Sequence, residues 1–151
     1  MLNGEGKPMN IAQIIAHRDA GVVTCRADHS VAEAVALLRA RRIGAMPVID
    51  ETGAVQGIFS ERDVIRCLDE LGPDALSAPV SDAMTSPAVT ASPQMSESEA
   101  LGLMTMRRIR HLPVVENGRM VDFVSIGDLV KAHIDQIEHE ASEMRNYIRS
   151  A

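Results

Sequence analysis

Apolar and polar positions switch between a helical and a strand period along this chain, and the switches come twice in the same order. Val31, Ala34, Val35 and Leu38 recur at helical spacing, which predicts a helix to about Arg42 with that face turned to a core. Ser30 and Glu33 precede and open it as a capping box. Ala45 to Ile49 reads as a strand, Asp50 to Gly53 as a turn, and Ala54 to Phe59 as the returning strand of a hairpin. Ser60 then opens a helix to about Leu71, with Val64, Ile65 and Leu68 expected inward.

After Gly72 to Pro79, which lacks periodicity and reads as a connection, the order restarts. Ser81 to Thr85 is a short lead-in, and Ala88 to Thr90 is a short strand that matches Val22 to Thr24 in the first copy. Ser96 and Glu99 form a second capping box, opening a helix to about Arg108. The strands Leu112 to Val115 and Met120 to Val124 flank Asn117-Gly118, a favoured two-residue hairpin turn. Ser125 opens the last helix, to about Ile148. Along it Val130, Ile134, Ile137, Ala141, Met144 and Ile148 follow steps of four and three, the seam of a helix packed on another helix and here a candidate subunit contact. Upstream, Asn10 caps a short helix from Ile11 to His17.

The residues repeat along with the pattern. Arg41-Arg42-Ile43 and Pro47-Val48-Ile49 return at one constant offset as Arg107-Arg108-Ile109 and Pro113-Val114-Val115. The corner Gly57-Ile58-Phe59-Ser60-Glu61-Arg62-Asp63 returns as Asp122-Phe123-Val124-Ser125-Ile126-Gly127-Asp128. A period this long marks a duplicated supersecondary unit. It divides the chain into an arm at 1–9, a first repeat at 10–72, a linker at 73–80, a second repeat at 81–135 and a helical extension at 136–151. Each repeat, strand-helix-strand-strand-helix, is an α/β unit too small to be stable alone.

Composition narrows the function. Of 151 residues 46% are apolar, enough for an aliphatic core, but Phe59, Phe123 and Tyr147 are the only aromatics and the formal charge is −6. That leaves neither stacking platforms for single strands nor a basic footprint for duplexes, so no nucleic-acid partner is expected. With no signal sequence and no long uncharged apolar run, a cytoplasmic protein without a membrane partner is expected. Cys25 and Cys67 are far apart and read as small buried apolar residues. No phosphate-binding glycine loop, dinucleotide fingerprint, paired metal histidines or nucleophile elbow occurs, so no catalytic and no metal-binding residues are assigned. His133 and His139 do not share a helix face and read as solvated.

The order of elements, with Arg-Arg-Ile-x-x-x-Pro-Val before the middle strand and Gly-Ile-Phe-Ser-Glu-Arg-Asp at the last corner, resembles the CBS domain. Two in tandem form a Bateman module, and the resemblance covers roughly residues 10 to 135. It implies a sensor, not an enzyme, that binds AMP, ADP, ATP, NAD(H) or S-adenosylmethionine in clefts between the repeats, needs no other cofactor, forms a homodimer and acts on a separate effector protein. It also implies roles for single positions. Asp63 and Asp128 would accept from ribose hydroxyls. Ser60 and Ser125 would face the phosphate side, and Arg62 beside Ser60 is counted among the nucleotide-binding residues. Arg110 and His111 in one copy, and Gly44 and Ala45 in the other, would lie near the phosphates. Val23 and Val89, with Ala20 and Ser86 nearby, would line the adenine slot.

A plainer reading stands beside this one. Ser60 with Asp63, and Ser125 with Asp128, are also good capping sequences for a helix start. Arg41, Arg42, Arg107 and Arg108 are cations placed against a helix's negative end, whereas Arg110 and His111 lie past the helix. The pair Arg110 and His111 against Gly44 and Ala45 predicts unequal sites, one cationic and the other roomier and less charged. Asp122 in place of Gly57 points the same way.

Overall fold

The structure, a computed structural model, describes residues 9–16, 18 and 21–150. In chain order its elements are α1 (Ile11–Ile15), α2 (Val31–Arg41), β1 (Ala45–Ile49), β2 (Val55–Ser60), α3 (Glu61–Leu71), a 3-10 turn (Gly72–Ser77), α4 (Val80–Ala83), α5 (Glu97–Arg107), β3 (His111–Glu116), β4 (Arg119–Ser125) and α6 (Ile126–Ser150). The expected loose arm, apart from Met9, and His17 at the end of the first helix lie outside the described residues. The chain divides into two compact units, one of Asp19–Ser92 with Leu112–Phe123, the other of Met1–Arg18, Pro93–His111 and Val124–Ala151. No described helix is long and apolar enough to cross a membrane.

In the first of these units, α2 starts where predicted. Ser30 Oγ accepts from the Glu33 amide and Glu33 Oε2 accepts from the Ser30 amide, each at 3.1 Å, which satisfies two donors that a helix start otherwise leaves orphaned. β1 and β2 pair antiparallel with Met46 opposite Phe59, and both side chains are fully buried against Val31, Leu38, Val48 and Cys25. The stretch expected to be a plain connection instead winds into the 3-10 turn. Pro73 sits at its start with φ already set for a helix, and Ala75 is fully buried beneath it.

Two expectations fail in this unit. Val22 to Thr24 and Ala88 to Thr90 are not strands. Each lead-in meets its hairpin through one parallel bridge, Cys25 beside Val48 and Ala91 beside Val114. Only one residue of each comes into register before the chain turns toward its helix, so the amide exchange stops at two bonds, at 3.1 and 3.0 Å for Cys25 and 2.9 and 2.8 Å for Ala91. In α3, Ile65 and Leu68 face outward, 68% and 41% exposed, while Asp63 and Cys67 are buried. The hydrogen bonds of Asp63 set this rotation, because turning position 63 inward carries 67 with it and leaves 65 and 68 outside.

The other unit gathers α1, α5 and α6. Asn10 caps α1 with Gln13 in a reciprocal capping box, and Ile11 is fully buried. α5 opens on the Ser96–Glu99 capping box and closes at Arg108, whose φ of 54° is left-handed. α6 runs 25 residues, yet Leu129 is its only buried residue. His133 is not merely solvated, as the sequence reading had it: its Nδ1 lies 2.7 Å from Oε1 of Glu97, a carboxylate side chain only 6% exposed at the start of α5. Burying a carboxylate requires such a partner.

Candidate functional site

The first strand-to-helix corner is held together by one carboxylate. Ser60 leaves β2 extended, so its amide points at the side chain three residues on. Asp63 Oδ2 accepts from the Ser60 amide at 2.8 Å and from Ser60 Oγ at 3.0 Å. Asp63 Oδ1 accepts from Thr85 Oγ1 at 2.8 Å and pairs with Arg66 Nη2 at 3.1 Å. The same guanidinium group donates to the Ala83 carbonyl. Asp63 is only 2% exposed. Its oxygens are spent on the protein, and they tie the start of α3 to the lead-in of the next repeat.

That lead-in runs hard against β2. Ile58 and Thr85 exchange backbone bonds of 3.0 and 2.8 Å, and a Cβ on Gly57 would stand 2.8 Å from the Thr85 carbonyl oxygen. Gly57 is therefore fixed by close approach. Ser86 Oγ donates to the Gln56 carbonyl at 2.9 Å. On the other side, the Glu61 amide donates to the Gly44 carbonyl at 3.0 Å, and the Glu61 carboxylate lies about 3.6 Å from where a Gly44 Cβ would be. The corner expected to be roomier and less charged thus has an exposed acid beside Gly44. Ala45 is buried, Arg62 is exposed on the first turn of α3, and Val23 and Val89 are half-buried. Ala20 lies outside the described residues.

The second corner repeats the backbone and changes the charges. The Ser125 amide donates to Asp128 Oδ2 at 2.8 Å, and the Asp128 amide donates to Ser125 Oγ at 3.1 Å. Instead of a threonine, Arg18 meets the carboxylate, with its Nη2 3.1 Å from Oδ2 and both side chains about a third exposed. The Ile126 amide donates to the Arg110 carbonyl at 2.8 Å, the counterpart of Glu61 on Gly44. The pair Gly44 and Glu61 has become Arg110 and Ile126, so an acid on one corner answers to a base on the other. His111 begins β3 half-buried. Its burial pushes the imidazole's pKa down and the Arg110 charge adds to this, while the Asp128 charge opposes it.

Sequence reasoning did not find Arg18, Thr85, Arg66 or Glu61. Arg66 stands three residues after Asp63, a spacing that brings side chains together on a helix, and that signal was available. Thr85 and Arg18 come from distant segments. Cys25 and Cys67 are buried free thiols, as expected, and burial pushes the Cys25 pKa up to about 11. Among the described residues no three histidine, cysteine or acidic side chains could hold a metal. A hollow of about 340 Å³ lined by Arg26, Asp50, Thr52 and Gln56, among others, contains none of the predicted residues. Its Asp50 carboxylate is spent on its own turn, accepting from the Thr52 amide and hydroxyl and from the Ala54 amide.

The CBS-domain family model matches residues 14–70 and 80–135. A mitochondrial CBS domain-containing protein of Arabidopsis thaliana is 34% identical over 87% of this chain, which spans 66% of that relative's length. The crystal structure of a CBS-domain containing protein from Agrobacterium tumefaciens superposes with a TM-score of 0.78 at 38% identity, covering 88% of this chain and 99% of that one. The protein CBSX2, solved in complex with AMP, superposes at 0.68 with 26% identity, covering 78% and 90%. The chain therefore belongs to the CBS-domain family and, with two CBS domains in tandem, is built as a regulatory module.

Proposed function

We propose that the protein senses adenosine-containing ligands, among AMP, ADP, ATP, NAD(H) and S-adenosylmethionine, and that the second corner is where it holds them. The observation that carries this reading is the contrast between the two carboxylates. Asp128 is about a third exposed, with Arg18 beside it and Arg110 and His111 on the same corner. Asp63 is buried and saturated with protein donors. A ribose diol needs an acceptor for two hydroxyls, and each charge-assisted bond is worth about 1.5 to 3 kcal/mol. Asp128 can accept them from solvent's side, whereas at Asp63 the ligand must first displace Thr85.

Arg18, Arg110 and His111 supply donors for phosphate, and the start of α6 beside Ser125 adds the attraction of a helix N-terminus. At the first corner Glu61 repels a phosphate near Gly44, Ser60 is bonded to Asp63 and Ala45 is buried, which leaves Arg62 as an exposed cation there. For Val23, Val89 and Ser86 the adenine role rests on the family resemblance alone. Binding shifts the population of two conformations, read by an effector protein through a homodimer. The rival reading, a dimerising interaction module whose nucleotide clefts stay vacant, draws its support from the saturation of Asp63.

A thermal-shift screen separates the two. AMP, ATP, NADH or S-adenosylmethionine at a hundred times its dissociation constant adds about 2.7 kcal/mol of stability. No shift with any of them favours the vacant module.

A further inference from the structure

From Ile137 to Ser150 every residue of α6 is exposed, so among the described residues nothing buries the second half of the helix. Isolated helices of this length are marginal in water. Its apolar positions nonetheless keep strict order. Val130, Ile137 and Met144 fall at one seam position of a heptad, and Ile134, Ala141 and Ile148 at the other. The five larger side chains are 44% to 67% exposed.

The charges beside the seam choose the partner's direction. In this frame Lys131, Glu138 and Arg145 flank one edge and His133, Glu140 and Tyr147 the other. In a parallel, in-register pair, each residue of the second edge meets the first edge of the partner five residues on. Glu140 then meets Arg145 of the partner subunit, twice by symmetry. The antiparallel pairing that uses all six seam residues sets Glu138 against the partner's Glu138, Glu140 against the partner's Glu140, and Lys131 against the partner's Arg145. All of these contacts are repulsive. We infer that α6 pairs with α6 of a second copy as a parallel two-stranded coiled coil over Val130 to Ile148. The inference rests on the homodimer part of the proposed function and fixes its geometry, which puts the two helix C-termini side by side.

The test uses the full chain carrying Ile148→Cys, with Cys25 and Cys67 buried in the fold. Mild oxidation yields a disulfide-linked dimer, because position 148 faces itself across a parallel seam. Ile137→Asp lowers the mass in sedimentation equilibrium to a monomer, or weakens the dimer at least tenfold, with the circular dichroism of the folded units kept. Linkage only in a mixture of Val130→Cys and Ile148→Cys chains overturns the parallel arrangement and leaves the dimer standing. A wild-type monomer overturns both, and a dimer indifferent to Ile137→Asp overturns the seam.

Discussion

Thr85 Oγ1 donates to Asp63 Oδ1 across 2.8 Å, and through this bond the lead-in of the second repeat closes over the corner carboxylate of the first. Asp128 has no threonine in that role and meets Arg18 instead. Two copies of one motif have thus parted, one toward stability and the other toward an accessible charge.

Stability variants follow from that division. Asp63→Ala strands three donors and an arginine around a buried site and costs about 2 to 3 kcal/mol, while Thr85→Val, which removes one donor to a charged group, costs about 1.5 kcal/mol. Asp128→Ala loses a partly exposed cap and costs about 1 kcal/mol. Urea unfolding at constant slope measures all three, and equal costs for the two aspartates contradict the division.

The contact of β2 with the lead-in makes a steric prediction. Gly57→Ala puts a Cβ against the Thr85 carbonyl and the Met84 sulfur, at 2.8 and 2.9 Å, and costs about 1 to 3 kcal/mol. Gly102→Ala is the control, since among the described residues nothing outside its own helix backbone and chain neighbours lies within 4 Å of a Cβ there. In the middle of α5 it gains about 0.5 to 1 kcal/mol. The melting temperatures move in opposite directions.

His111 gives a pH dependence of known sign. Its folded pKa lies below the ordinary 6.5 because burial disfavours the charged ring, so the unfolded chain binds the proton first. Stability from this group is therefore lost as pH falls through the unfolded value toward the folded one. Between pH 7.5 and 5.5 wild type should lose more stability than His111→Asn, measured as the difference between their unfolding midpoints. A bound phosphate favours the charged ring, so AMP affinity rises over the same fall in pH, and His111→Asn flattens that rise.

What could be read in the sequence was what is local. The capping boxes at Ser30 and Ser96 and the Asn117-Gly118 turn close within four residues, so residue type and spacing specify them. The corner pairs Ser60 with Asp63 and Ser125 with Asp128 were visible for the same reason. What each carboxylate does was not visible, because Thr85 and Arg18 reach it from far along the chain. The outward turn of Ile65 and Leu68 has the same origin, since a buried polar contact at Asp63 outranked the apolar stripe. Glu61 beside Gly44 was missed because a glycine in sequence reads as space, and only packing shows what fills it.

The central claim is that one corner, not two, serves the ligand. Isothermal titration of AMP into wild type, Asp128→Asn and Asp63→Asn at a common pH and salt tests it most directly. Loss of a charge-assisted bond to ribose is worth at least a factor of about ten, so Asp128→Asn should weaken binding by that much or abolish it. Asp63→Asn, if folded at the titration temperature, should leave the affinity within about threefold of wild type. The reverse ranking, or equal losses in the two variants, contradicts the account.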